Sequence, residues 1–199
     1  MVTEIYGLPG SGKTYYAVKE LIEKEGYEYP MVSSVGNLFL YTFLFWVRHP
    51  IFTARLFIHI LKHGHGISDI YTKCVNGLGH RLARYYLPIQ GRKRVVDEGM
   101  VHNILSLSDV ALTEKEVVTL LQNMPVLADT YVRVVAPHEE RKKRTDKRGY
   151  QFSRTQDKVR TKMLTEAMVH NETLVHKLLM EGKNIPVKTV EGTVTYEEK

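Results

Sequence analysis

Apolar positions along the chain switch between the two periods of regular structure. Residues 2–6 alternate as a short strand, and residues 15–22 place Val18, Leu21 and Ile22 on one helical face. Gly26 ends that helix, residues 31–35 read as a second strand beside the first, and Gly36-Asn37 stops it. Strand signal is then nearly absent from 37 to 90. Residues 38–47 form a very apolar helix, and Pro50 opens another with Ile51, Ala54, Phe57, Ile58 and Leu61 on one face. Gly64-His65-Gly66 breaks it, and residues 70–87 continue as one or two helices carrying Arg81, Arg84, Tyr85 and Tyr86. A buried strand at 94–97 ends in Asp97-Glu98. Thr113 and Glu116 form a capping box for a helix through Leu121. A strand at 131–136 is ended by Pro137. A long helix over 155–180 has Val159, Met163, Ala167, Leu174, Val175, Leu178 and Leu179 as its buried stripe, with Gly182 as its C-cap, and a last strand covers 186–190.

Strands and helices thus alternate, which predicts a three-layer α/β fold with a mostly parallel, five-stranded sheet in one domain over residues 1–199. The helical block at 37–90 is an insertion between strands. Its apolar spacing favours burial; it would also suit the wall of an acceptor pocket, or a helix lying on a membrane surface with Arg48, Arg55 and Lys62 at its flanks.

The first turn of the sheet carries the chemistry. Gly7-Leu8-Pro9-Gly10-Ser11-Gly12-Lys13-Thr14 fits the phosphate-binding loop at every fixed position, between a strand and a helix. Glycines there let backbone N–H groups turn inward toward an anion, and the helix N-terminus adds partial positive charge. Residues 7 and 9–15, Tyr15 included, therefore form the expected nucleotide cradle. Lys13 is expected on the β- and γ-phosphates, and Thr14 on Mg²⁺. Asp97, at the edge of a parallel sheet where ligands bind, is the matching metal-shell carboxylate, with Glu98 beside it to deprotonate or orient an acceptor.

Charge sharpens this picture. The net charge is +6, but much of the basic excess falls in one run, Arg141-Lys142-Lys143-Arg144-Thr145-Asp146-Lys147-Arg148, followed by Arg154, Lys158, Arg160 and Lys162. Such a run serves as a solvated face, a nucleic-acid footprint or a lid. Its place after a strand in a phosphate-loop chain favours a lid over 138–162, with Arg141, Arg144 and Arg148 stabilising a transferring phosphoryl group. Nucleic acid is the least fitting partner. Gly192, after the last strand, sits where a nucleobase would pack.

Cys74 is the single cysteine, so no intramolecular disulfide forms; it reads as inert core, and a reducing cytoplasmic setting is expected. Met1 leads directly into the first strand, leaving no room there for a leader, and 38–47 is too short to span a bilayer. His63 and His65 read as a polar loop rather than a zinc site, and His102 as a histidine satisfied by the backbone.

The order of these parts resembles the nucleoside and nucleoside-monophosphate kinases, in particular the thymidylate-kinase-like group. GLPGSGKT matches their phosphate loop and VVDEG at 95–99 their acidic strand end. YVRVVAPHEERKKRTDKRG at 131–149 is similar to their arginine lid, and PVKTVEGT at 186–193 to their base-side loop. The resemblance implies an ATP- and Mg²⁺-dependent phosphotransferase acting on a small acceptor: a nucleoside, a nucleotide or a sugar-like alcohol. The chain departs from it where Ser33-Ser34-Val35-Gly36-Asn37 replaces the acidic base expected after the second strand. Glu98 or Asp97 then takes that role, or the acceptor is already a phosphate met by Arg48, Arg55, Arg81 or Arg84. The opening IYGLPGSGKTYYAV also resembles the zonula-occludens-toxin-like ATPases of phage assembly, which implies an assembly or switch ATPase that oligomerises and has a membrane or protein partner; their acidic strand end reads DEA rather than Asp97-Glu98-Gly99.

Overall fold

A computed structural model of the protein describes residues 1–31, 34–147, 158–182 and 185–192. Strands β1 (Val2–Tyr6), β2 (Arg94–Asp97), β3 (Thr130–Val135) and β4 (Val187–Glu191) form one parallel sheet in the order β2-β1-β3-β4. Glu4 lies opposite Val96 on one side and Tyr131 on the other. Parallel neighbours require crossovers, and helices supply them: α1 (Lys13–Tyr16), running on as a π-helical stretch over Ala17–Lys24, then α2 (Val35–Arg48), α3 (Pro50–His63), α4 (Ile67–Lys73) with a π-helical continuation Cys74–Arg81, α5 (Met100–Ser106), α6 (Glu114–Asn123), α7 (His138–Lys147) and α8 (Lys158–Gly182).

Strand alternation feeds two cores. Ile5, Val95, Val132 and Val134 face Ala17, Leu21 and Tyr27. Tyr6, Val96 and Tyr131 face the opposite way, into a larger core with Phe45, Phe52, Leu56, Leu82, Ile104, Val175 and Leu179. The three-layer arrangement therefore follows from the period-2 pattern of the strands.

Of the strand expected at 31–35, the described residues Met31, Ser34 and Val35 are not in a strand. Ser34 caps α2, its Oγ accepting from the Asn37 N–H at 3.1 Å, and Val35 is already helical; residues 32–33 lie outside the described residues. The Ser34 cap overrides the weak β preference of the valines. Both edges of β1 are occupied by β2 and β3, and what pairing precedes α2 is a single bridge from Glu28 to Arg94 on the far side of β2. The described residues thus hold four strands, not five.

The insertion also differs from expectation. The α3 face read as one apolar stripe is its outward face: Ile51, Phe57, Ile58 and Leu61 are exposed, while Phe52, Leu56, His59 and Ile60 are buried. Helix α2 buries only Thr42 and Phe45. In α8, Met163 is exposed, Val159 lies outside the described side chains, and Asn171 and Glu172 join the buried stripe. Asn171 belongs there because its side chain accepts from Leu112 N–H and donates to Val110 C=O. Cys74 is half-buried, and burial pushes its thiol pKa up. His65 faces Asp109 at 3.6 Å and His63 faces Glu116 at 3.5 Å.

Burial of His59, hydrogen-bonded through Nε2 to Ser108 Oγ, gives a pH prediction. Burial, reinforced by His63, lowers its pKa to about 4. The unfolded chain therefore binds a proton at higher pH than the folded one does. The contribution is full above the unfolded value and is lost as pH falls from about 6.5 toward 4, reaching about 3 kcal/mol. Urea unfolding across that window should show the decline, and His59→Gln should flatten it; an equally steep slope in the variant would dismiss His59 as the source.

Candidate functional site

The phosphate loop leaves β1 where the strand order reverses, with β2 on one side and β3 on the other. This is the position at which open parallel sheets bind ligands. Gly7, Gly10 and Gly12 all have positive φ, at 147°, 76° and 97°. At Gly10 the reason is also steric: a Cβ there would lie 2.6 Å from the Arg141 carbonyl oxygen, because α7 packs directly on the loop. Ser11 N–H donates to Leu8 C=O, and Tyr16 N–H to Gly12 C=O, closing the turn into α1.

Lys13 folds back across the loop. It is buried, and its Nζ donates to Gly7 C=O at 2.9 Å and Leu8 C=O at 3.0 Å. Thr14 is exposed at the start of the helix, and Tyr15 follows it half-buried. Ser11 Oγ is buried and has no hydrogen-bond partner among the described residues. An orphaned hydroxyl inside a cradle of backbone N–H groups fits an oxyanion, so the residues present suit a phosphate group.

Asp97 ends β2 on the same sheet edge, opposite Ile5. Its Oδ1 accepts from Arg84 Nη1 at 2.8 Å and its Oδ2 from the Tyr29 hydroxyl at 3.3 Å. Tyr29 has its pKa raised, first by burial and then by the Asp97 charge, so it stays a donor. Glu98 has φ 58°, the left-handed region rare for a residue with a Cβ. Its carboxylate lies 3.7 Å from Arg81 and 3.8 Å from His102, which is itself buried.

The basic run divides. Arg144 is buried, donating to Gly10 C=O at 3.2 Å and pairing with Glu140 at 2.7 Å. It braces the loop. Arg141 lies half-buried against Gly10, and desolvation lowers its pKa. Arg148 and the remainder of the expected lid up to residue 157 lie outside the described residues. Between Leu8-Pro9, the α7 residues His138, Arg141 and Lys142, and the α8 residues Lys162, Thr165 and Met168 there is a crevice of about 330 Å³. Gly192 is brought to the loop from behind, so close that a Cβ would lie 1.8 Å from Ser11 C=O.

Of the four arginines considered for an acceptor phosphate, Arg81 and Arg84 both reach the Asp97-Glu98 strand end, and Arg48 and Arg55 lie elsewhere. Arg48 sits over the Tyr86 ring at 5.1 Å, Arg55 lines a groove against α6, Arg81 donates to Asn103 and Ser106, and Arg84 holds Asp97. Arg133 was not anticipated. It stands on β3 opposite Tyr6, and its guanidinium is gripped by the buried Glu172 of α8. A charged residue at alternate spacing within a strand was the available signal. Tyr6 in turn hydrogen-bonds His176 at 2.8 Å.

No family model matches the chain, and no curated protein does. Among solved structures, deoxyadenosine kinase from M. mycoides with bound dATP aligns with 98% of this chain and 93% of its own, at 14% identity and a TM-score of 0.41. The same enzyme with dCMP and a flexible dCDP aligns with 98% and 92%, at 14% identity and a TM-score of 0.44. Likeness at this level carries no functional assignment.

Proposed function

We propose that the protein is a phosphotransferase that moves the γ-phosphoryl group of ATP to a small acceptor, with a nucleoside or nucleotide as the first class to test and a sugar-like alcohol as the next. The observation that carries this reading is the phosphate loop at the switch point of a parallel sheet, with a buried lysine folded over it and a basic helix packed against it. Lys13 exchanges its two loop carbonyls for phosphate oxygens and neutralises charge as it moves to the leaving group. Arg141, at the rim of the loop, meets the equatorial oxygens, while Arg144 keeps the loop in shape. Thr14 and Asp97 are the residues suited to hold Mg²⁺, which supplies charge neutralisation across the phosphates when bound. The acceptor oxygen attacks phosphorus in line, ADP leaves, and Glu98 takes the acceptor's proton. Catalysis of this kind is mostly positioning and electrostatics.

The test is transfer from labelled ATP-Mg²⁺ to a pool of nucleosides, nucleoside monophosphates and sugars, read by mass spectrometry. A phosphorylated product, absent with Lys13→Ala, is the expected result. Phosphate released only to water, or ATP left intact, would overturn the reading.

A further inference from the structure

Helices α2 and α3 turn an unusual surface outward. On α2, Val35, Phe39, Phe43 and Val47 recur at four-residue spacing, with Leu40 and Trp46 alongside, and all six are exposed, Phe39 at 76% and Phe43 at 57%. On α3, Ile51, Phe57, Ile58 and Leu61 are exposed as well, Ile51 at 64%. Soluble monomers rarely leave so large an apolar patch in water. No helix among the described residues is long and apolar enough to cross a membrane. Each of these two has 14 residues, hence a length of about 21 Å against the roughly 30 Å of a bilayer core. They can lie on a bilayer but not span it.

Charge identifies the occupant. From residue 29 to 68 there is no aspartate or glutamate, while Arg48, Arg55 and Lys62 are present. Arg55 borders the α3 stripe, Arg48 ends α2 over the Tyr86 ring, and Lys62 is held by Glu116 of α6 at 2.5 Å. Trp46 donates its indole N–H inward to Leu78 C=O at 2.9 Å while the residue as a whole is 40% exposed. The indole thus spends its polar edge on the protein and turns apolar surface outward, with arginines at the margin. A second copy of this chain docked through the same face would bring equal cations together with no hairpin carboxylate to meet them.

We propose that the outward faces of α2 and α3 dock in the plane of an anionic lipid surface, with their apolar side chains in the headgroup boundary and Arg48 and Arg55 on lipid phosphates. This stands apart from the phosphoryl-transfer reading and is tested without nucleotide.

Trp46 is the single tryptophan and reports directly on the patch. The full chain is titrated with vesicles of phosphatidylcholine alone, or of equal parts phosphatidylcholine and phosphatidylglycerol. Emission and co-sedimentation are both followed. The expected result is a blue shift and pelleting on the anionic vesicles, weakened at least about tenfold by Phe43→Glu. Arg55→Gln, which leaves the apolar face intact, should lose about fivefold on anionic vesicles only. A far-UV spectrum and melt like those of the unaltered chain keep Phe43→Glu interpretable; if that variant misfolds, the Arg55→Gln comparison decides. Absence of any shift on anionic vesicles would overturn the proposal. So would equal binding to both vesicles, or a lipid-free, concentration-dependent blue shift accompanied by dimers in sedimentation, which would give the face to a second copy.

Discussion

Lys13→Ala is expected to lower phosphoryl transfer by about 10³-fold, the scale of losing one preorganised charged donor aimed at developing negative charge. The magnitude rests on where the ammonium sits. It is buried within the loop and held by Gly7 and Leu8 carbonyls, so it stands beside the phosphate cradle before any ligand arrives. The fold should lose no more than about 2 kcal/mol, because the two carbonyls lose one partner at about 1 kcal/mol apiece. Single-turnover rates with saturating ATP separate this from weakened binding. A variant that keeps a tenth or more of the rate would show that Lys13 is a structural staple of the loop and not part of its chemistry.

Lys73→Met should be the most damaging single change to stability, at about 3–5 kcal/mol. Lys73 is fully buried, and its Nζ meets Asp69 at 2.8 Å, Asp109 at 3.1 Å and the His63 carbonyl at 3.0 Å. Methionine fills the same volume and leaves both carboxylates in a poorly solvated site without their shared cation. For a chain of this size the melting temperature should fall by roughly 10 °C. Adding Asp109→Leu should recover part of the loss, since removing a buried ion pair whole is far milder than breaking it. A loss under about 1 kcal/mol for the single variant would mean that water reaches the cluster and the pair is not truly desolvated.

The phosphate loop, β1, β2, the Thr113 capping box and β4 were legible in the sequence, because motif, period and punctuation agreed at each. The helices of the insertion were legible as helices, but their orientation was not. Both carry apolar residues around most of their circumference, so periodicity alone could not say which arc met the core; the more regular stripe on α3 proved to be the wet one. The end of the strand expected at 31–35 gave way to a local serine cap at Ser34 that β-propensity cannot see. Buried charges escaped for a different reason. Lys73, Glu172 and Arg144 look like ordinary surface residues on helices, and only partners distant in sequence or packing on the loop reveal them as interior. At the site, a charge run could announce basic residues near the loop but could not divide them into Arg144, which shapes the loop, and Arg141, which borders it.

The contact between Gly192 and Ser11 carries a consequence for synthesis. The phosphate loop is made well before the backbone that packs against it, since Ser11 and Gly192 are far apart in sequence. A nascent chain that has not yet reached β4 holds every motif residue and no wall behind them. Under the proposed function, competence to bind a nucleotide should therefore arrive only when β4 zips onto β3.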